Sequence, residues 1–338
     1  MRRSPAPFAP EASTGARRTA RIRPGKRALR AVVVLAAGVV SLAALACSGD
    51  GGSGEARGSA PVSTGDAATA NAGDGPAAAA DSIIVIDAAD RRVALAGPAR
   101  RIVSLVPSAT ATLHAIGATH ALVGRTDFDR QPWAADLPSV GGGLEPSLEA
   151  IVALDPDLVV RFGGPQDPRT PRRLDELGVP FLTVRPDRIE DILETARLLG
   201  DVTGMVSGAD SLTAVIESGL DEIRAAVAER RRLRVAYVLG GSPPWISGPG
   251  TYIDEVLTLL GGDNVFADLG TLYSAVSPED LRTRDIDVVL LSASGQFDQS
   301  LAPDARVVTI GDALEIPGPD VVEAARHVAE LLHGRPLR

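Results

Sequence analysis

Residues 209–232 read ADSLTAVIESGLDEIRAAVAERRR. Apolar side chains at Leu212, Val215, Ile216, Leu220, Ile223 and Val227 recur in steps that keep them on one face of a helix. A helix over these 24 residues is about 35 Å long at about 1.5 Å per residue, more than is needed to cover a small sheet. It reads as a strut between two larger bodies. The closing cluster Arg230, Arg231 and Arg232 is expected at its solvated C-terminal end, where cations suit the helix dipole. Gly219 interrupts the stripe and is the place where the rod is expected to be weakest.

On either side of the stripe, strands and helices alternate. "IIVIDAADRRVAL" from Ile83 reads as a hairpin, and "RRIVSLVP", "HALVGR", "DPDLVVRF" and "VPFLTVRP" read as strands. A helix is expected over Thr110–Ile116, ended by Gly117, and another over Ile189–Gly200. Beyond the stripe, "LRVAYVLGG" is a strand and Thr251–Leu260 a helix. Strands that are apolar throughout belong in parallel sheets covered on both faces. The fold class is therefore α/β: two Rossmann-like lobes with parallel-rich sheets, joined by one long backbone helix. The expected boundaries are 82–206 for the N-terminal lobe, 207–232 for the connecting helix and 233–338 for the C-terminal lobe.

The two halves also repeat one another. "SLEAIVALDPDLVV" starts at Ser147 and "SPEDLRTRDIDVVL" at Ser277, so that Ser147 and Ser277, Glu149 and Glu279, Asp155 and Asp285, and Asp157 and Asp287 are paired at a constant offset. Each copy reads as a serine N-cap, a short helix, an Asp-containing turn and a buried strand, and Pro278 suits the first helical position. Glu149 and Glu279 thus stand at the start of matching helices. By themselves they need only complement the helix dipoles, at about 0.3–1 kcal/mol each.

Upstream, the chemistry changes. Of 34 basic and 43 acidic residues in the chain, nine basic ones lie in residues 1–30 against the single acid Glu11. This excess leaves the rest of the chain strongly acidic, which argues against nucleic acid as a partner. After the basic segment comes AVVVLAAGVVSLAALA, too short for a comfortable bilayer span of roughly 20 residues and shaped like an export signal. Its end, Ala44-Leu45-Ala46-Cys47, holds the only cysteine and resembles a bacterial lipobox. That resemblance implies a signal peptide over residues 1–46 and a lipid on Cys47, so that the protein is exported and held to the cell membrane facing the periplasm or the cell exterior. A plain secretory signal with an incidental cysteine and an uncleaved anchor are the alternatives. Residues 47–81, rich in Gly, Ser, Ala and Asp, read as a disordered tether.

Catalytic signatures are sparse. "GGSPPWISGPGTYI" has glycines between a strand and a helix but lacks full dinucleotide-loop spacing and a following lysine. His114, His120, His327 and His333 have no metal-ligand spacing, and no serine sits in a nucleophile elbow. The chain is read as a non-enzyme with neither metal site nor cofactor. A two-lobed enzyme of glycosyltransferase-like architecture and a purely structural surface lipoprotein are the competing classes.

"RIVSLVPSATATLHAIGA", "LPSVGGGLEPSLEAIVALDPDLVV", "SGPGTYIDEVLTLLGGDNVFAD" and "VSPEDL" together resemble the substrate-binding proteins of ABC importers for cobalamin, haem and iron–siderophores. The resemblance spans roughly residues 98–335. It implies two lobes on a connecting helix, a large metal-chelate ligand between them, and an ABC permease and ATPase complex as partner. It also implies that Glu149 and Glu279 dock on arginines of that permease. Cobalamin comes first among the ligands, with haem and siderophore as alternatives. Tryptophan is expected in cobalamin-binding relatives where this chain has Gly143, Phe162 and Tyr273, and Asp320 replaces a frequent arginine.

Open α/β sheets bind ligands at loops following the strand ends. On the first lobe these loops offer Pro107, Ser108, Ala109, Thr110, Asp127, Phe128, the glycines through Gly143, then Phe162 and Gly163; on the second, Pro244, Trp245, Tyr273 and Asp312. In a chain with only 3% aromatic residues, several on such loops suggest flat apolar surfaces for a large ligand. Trp133 is assigned instead to a lobe core.

Overall fold

In the computed structural model, residues 82–293 and 295–337 are described, and they fall within one unit of the chain. The signal segment, Cys47 and the tether lie outside the described residues. The first strands, β1 (Ile83–Ile86) and β2 (Arg92–Leu95), form the antiparallel hairpin. There follow β3 (Ile102–Ser104), α1 (Pro107–Ala115), β4 (Leu122–Gly124), α2 (Leu148–Ala153), β5 (Leu158–Phe162), α3 (Arg169–Glu176) and β6 (Phe181–Val184). These strands make a parallel sheet in the order β4-β3-β5-β6.

Two helices come next, α4 (Ile189–Thr203) and α5 (Val206–Val227). The second lobe contains β7 (Leu233–Gly240), β8 (Trp245–Ser247), α6 (Tyr252–Leu259), β9 (Gly262–Asn264), β10 (Tyr273–Ala275), α7 (Pro278–Thr283), β11 (Val288–Ser292), β12 (Arg306–Gly311) and α8 (Val321–His333). Its sheet runs β10-β8-β7-β11-β12, with β9 also paired to β7. The pairs of β7, β11, β12 and β9 are parallel, whereas β8 and β10 are added antiparallel. Val288, Leu290, Val235 and Tyr237 face one core, and Val289, Leu291, Ala236 and Val238 the other, as a strand buried on both faces requires.

The sequence repeat is a repeat of structure. The short helices α2 and α7, and the strands β5 and β11, occupy matching positions in the two lobes. Ser147 Oγ accepts the Ala150 N–H at 3.2 Å and Ser277 Oγ accepts the Asp280 N–H at 3.1 Å, so both caps form as serines before short helices should.

The long helix joins the lobes, and α4 runs beside it. Ile192 and Leu193 of α4 lie in the second lobe's core and Leu199 and Val202 in the first, whereas α5 begins with Ala209 in the first and ends with Ile216, Leu220 and Ile223 in the second. The connection is thus an antiparallel pair, closely packed: a Cβ on Gly200 would stand 2.6 Å from that of Ala209. Gly219 is also a packing glycine, since a Cβ there would stand 2.5 Å from Val322 Cγ1 on α8.

The helix departs from expectation at its end. It stops at Val227, and the three arginines beyond it turn to distant partners, two of them in ion pairs and one on a backbone carbonyl. Arg231 reaches Asp287 at 3.2 Å and Arg232 reaches Asp263 at 2.8 Å, while Arg230 donates to the Pro336 carbonyl at 3.2 Å. The partners are far away in sequence, so these arginines tie the start of β7 into its sheet rather than cap a rod. The first helix differs too: α1 starts at Pro107, three residues before the expected Thr110, because proline's fixed φ and missing N–H cost nothing in a first turn.

Candidate functional site

At the C-terminal ends of β3 and β5 the first lobe opens into a cavity of about 600 Å³. Phe128, Leu144 and Phe162 form its apolar walls, Val106 and Pro107 its floor, and Glu145 and Gln166 its polar edge. Phe128 and Leu144 are exposed, at 59% and 44%, which for a large ring and a leucine on one rim signals a surface kept for contact. Gly143 makes the wall thin. A Cβ there would lie 2.4 Å from the Leu105 carbonyl oxygen, so the glycine run lets the loop settle on the end of β3.

On the second lobe, β8 and β10 carry Trp245 and Tyr273. Their register, Trp245 opposite Ala275 and Tyr273 opposite Ser247, puts the two rings on one face of the ribbon as diagonal neighbours. Trp245 is half exposed, and it lies over Gly241, whose Cβ would stand 3.0 Å from the indole Cδ1. Burial, with the nearby Asp187 carboxylate second, pushes the Tyr273 phenol up to about 12, so it stays a neutral donor across ordinary pH. Beneath them lie the other two tyrosines. Tyr237 and Tyr252 are buried, their hydroxyls have no hydrogen-bond partner among the described residues, and burial above all raises both pKa values.

A second cavity, of about 330 Å³, lies between the lobes. Ala111 and Gln131 come from the first lobe; Asp312, Ile316, Asp320 and His327 from the second. The lobes approach closely here, since a Cβ on Gly318 would stand 3.4 Å from that of Ser108.

The sequence-derived candidates divide accordingly. Pro107, Phe128, Gly143 and Phe162 line the first cavity and Asp312 the second, while Trp245 and Tyr273 are exposed on the β8–β10 ribbon of the second lobe and line neither. Asp127 is exposed but lines neither cavity, its carboxylate accepting the Ser139 hydroxyl at 2.5 Å. Five others are set back. Ala109 and Thr110 are fully buried in α1, the Thr110 hydroxyl spent on the Val106 carbonyl at 3.2 Å, and Ser108 is 5% exposed. Pro244 is buried, with its carbonyl accepting the Val276 N–H at 2.9 Å. Gly163 backs on β6, 2.9 Å separating a Cβ there from Thr183 Cγ2. Trp133 packs against the first-lobe core, stacked on His114 with ring centroids 4.0 Å apart. Sequence reasoning missed Leu144, Glu145, Gln166 and Ile316. The signal for Leu144 and Glu145 was their place directly after the glycine run.

Glu149 and Glu279 are exposed, each in the first turn of its short helix. Glu279 faces Arg282 at 3.6 Å. Among the described residues there is no group of three or more His, Cys, Asp or Glu placed to hold a metal, and no helix long and apolar enough to cross a membrane.

A family model for periplasmic binding proteins matches residues 102–309. The chain belongs to that family. It is 29% identical over 274 residues to a cobalamin-binding protein of Halobacterium salinarum, covering 73% of each chain. It is 28% identical over 242 residues to a vitamin B12-binding protein of Salmonella typhimurium, covering 69% of this chain and 90% of that one. The solved periplasmic vitamin B12 binding protein BtuF of Vibrio cholerae superposes with a TM-score of 0.62 at 26% identity, over 70% of this chain and 97% of that one. The periplasmic haem-binding protein RhuT of Roseiflexus, in its apo form, reaches 0.60 at 22% identity over 70% and 98%, which shows a shared fold. These relatives are periplasmic, cobalamin-binding and vitamin B12-binding proteins. The two-lobed α/β architecture built above is theirs.

Proposed function

We propose that the protein captures a corrinoid, cobalamin in the first place, between its lobes and delivers it to an ABC importer. The observation that carries the reading is an exposed apolar surface on each lobe, Phe128, Leu144 and Phe162 on one and Trp245 with Tyr273 on the other, in a fold shared with vitamin B12-binding relatives. A flat ring system buries both its faces in such a site, with polar groups left to fix its edge. The basic N-terminal segment, the short apolar run after it and the lipobox-like Ala44-Leu45-Ala46-Cys47 support export and attachment through a lipid on Cys47. Glu149 and Glu279 would meet the two halves of the permease, whose ATPase drives release.

The test is a titration of the full chain in detergent with cyanocobalamin, haem and a ferric siderophore, following calorimetric heat and colour retained after desalting. Cyanocobalamin is expected to bind with a dissociation constant of about 1 μM or lower, that is, with roughly 8 kcal/mol or more. Retention of haem or siderophore alone would replace the ligand while leaving the importer role. Retention of none would remove the transport reading.

A further inference from the structure

Arg161 is a buried cation on a strand that is otherwise apolar. It stands two residues after Val159, on the face of β5 that packs with Ile151 of α2 and Leu174 of α3. Both Arg161 and its partner Asp167 are 6% exposed. Arg161 Nη2 lies 3.6 Å from Asp167 Oδ2 and donates to the Asp167 carbonyl at 3.2 Å, and among the described residues the guanidinium bonds to nothing else. The other carboxylate oxygen of Asp167 accepts the Thr170 N–H at 2.9 Å, at the start of α3. A buried ion pair adds little stability over apolar residues of the same volume, so stability alone does not account for a charge at this position.

The pair flanks a loop that edges the first cavity. Phe162 comes directly after Arg161 and Gln166 directly before Asp167, and both line that cavity. Between them lie Gly163, Gly164 and Pro165, and the two glycines give the loop little stiffness of its own. A Cβ on Gly164 would overlap Gln166 Oε1 and lie 3.8 Å from Phe162 Cε1, so the Gln166 carboxamide is folded back beside the ring. That carboxamide makes no hydrogen bond among the described residues. It can both donate and accept, which matches the carboxamides on the edge of a corrin. Resting on the cleft being the ligand site, we infer that Arg161 is a positioning residue for ligand capture. With Asp167 it closes the loop and holds the Gln166 carboxamide beside Phe162, where it bonds the edge of a ring lying on the apolar wall.

The experiment is a double-mutant cycle, read by calorimetric titration of cyanocobalamin into the full chain in detergent with thermal melting beside it. Gln166→Ala is expected to weaken binding about tenfold. Arg161→Met/Asp167→Asn removes the ion pair, leaves no unpaired charge in the core and keeps an oxygen for the Thr170 N–H; it too should weaken binding about tenfold. The decisive readout is the combination: in the Gln166→Ala background, removing the pair should cost less than about twofold more. A pair that serves structure alone would lower the melting temperature without changing affinity, or cost the same in both backgrounds. Either result, or unchanged binding in Gln166→Ala, would overturn the inference. Should the paired variant not fold, Arg161→Lys keeps the charge but not the planar fork and runs the same cycle, with a loss of about threefold expected in wild type and none in Gln166→Ala. If wild type takes up haem or a ferric siderophore and not cyanocobalamin, the corrinoid reading falls and the cycle is run with that ligand, where the same coupling is expected. Wild type that retains none of the three would remove both the ligand site and its clamp.

Discussion

Asp287 grips the start of the second lobe's central strand through Arg234. Its Oδ2 accepts the Arg234 backbone N–H at 2.8 Å and the Nε–H at 3.1 Å, and its Oδ1 accepts from the other guanidinium arm at 2.9 Å. The matching residue of the first lobe does the same, Asp157 accepting the backbone N–H groups of Arg100 and Arg101 at 2.8 and 3.0 Å. In each lobe an aspartate before one strand fixes the entry of its neighbour, which sets the register of the pair.

The hydrogen bonds from the Arg234 side chain, then its backbone N–H, hold the Asp287 carboxyl well below the usual carboxylate range. A depressed pKa stabilises the fold above the unfolded value of about 3.9, and that contribution fades as pH falls toward the folded value. Arg234 is 39% exposed, so solvent screens part of the pair. Asp287→Asn is expected to lower the unfolding free energy by about 1–2 kcal/mol at pH 7. Urea unfolding should show the variant and wild type converging on acidification below about pH 4. A gap that stays constant from pH 7 to pH 3 would remove the titration argument.

Gly219 sits where α5 and α8 touch. Replacing a mid-helix glycine by alanine ordinarily stabilises a helix by about 1 kcal/mol. Here the new methyl group would lie 2.5 Å from Val322 Cγ1 and 3.0 Å from Cγ2. Overpacking of this kind costs about 1–3 kcal/mol, so the clash is expected to win. Gly219→Ala should melt at a lower temperature than wild type, and adding Val322→Ala should recover at least half of the loss. A stabilised single variant would show that the helices can move apart freely.

The two tryptophans should behave oppositely. Trp245 is half exposed on the cleft ribbon, whereas Trp133 packs on the first-lobe core and on His114. Trp245→Ala is expected to weaken corrinoid binding about tenfold or more, with little change in melting temperature, since a stacking ring contributes about 1–2 kcal/mol. Trp133→Ala should do the reverse, lowering stability by about 1–3 kcal/mol and leaving affinity within about threefold. Calorimetric titration beside thermal melting separates the cases; equal losses of affinity would put both rings in the same role.

What the sequence made legible was local. Serine caps, a proline at a first helical turn and aspartates in tight turns act within a few residues, so the repeated unit around Ser147 and Ser277 could be placed before any coordinates. The stripe from Leu212 to Val227 announced the connecting helix for the same reason. Long-range partners were not legible. Arg231 and Arg232 look like a helix end until Asp287 and Asp263 are brought beside them. Nor does the stripe reveal that α4 accompanies α5, because Ile192 and Leu199 of one helix turn to different cores only after both lobes have formed. In the site, the aromatic candidates reached the surface, but Ala109 and Thr110 did not. A loop reading and a first-turn reading of "VPSAT" differ by three residues in where the helix begins, and that decides whether those side chains face the cleft or the core.

Glu149 and Glu279 give the last prediction. Both are exposed, both stand in the first turn of a six-residue helix capped by serine, and the helices occupy matching positions in the two lobes. A permease built from two equal halves would offer two equal basic sites to such a pair. Exposed charges across an interface steer encounter and fix orientation more than they add affinity, and salt weakens them. Either alanine substitution should therefore leave corrinoid affinity unchanged and stability within about 0.5 kcal/mol. Docking to the permease in proteoliposomes should fall, the double variant losing more than either single one, and the loss should be greatest for Glu149→Arg/Glu279→Arg, where like charges meet. The Arg282 side chain, 3.6 Å from Glu279, partly occupies that carboxylate, so Glu149→Ala is expected to cost more than Glu279→Ala, and Arg282→Ala to reduce the difference. If the double alanine variant docks and delivers ligand at the wild-type rate, the two glutamates serve only the dipoles of their own helices.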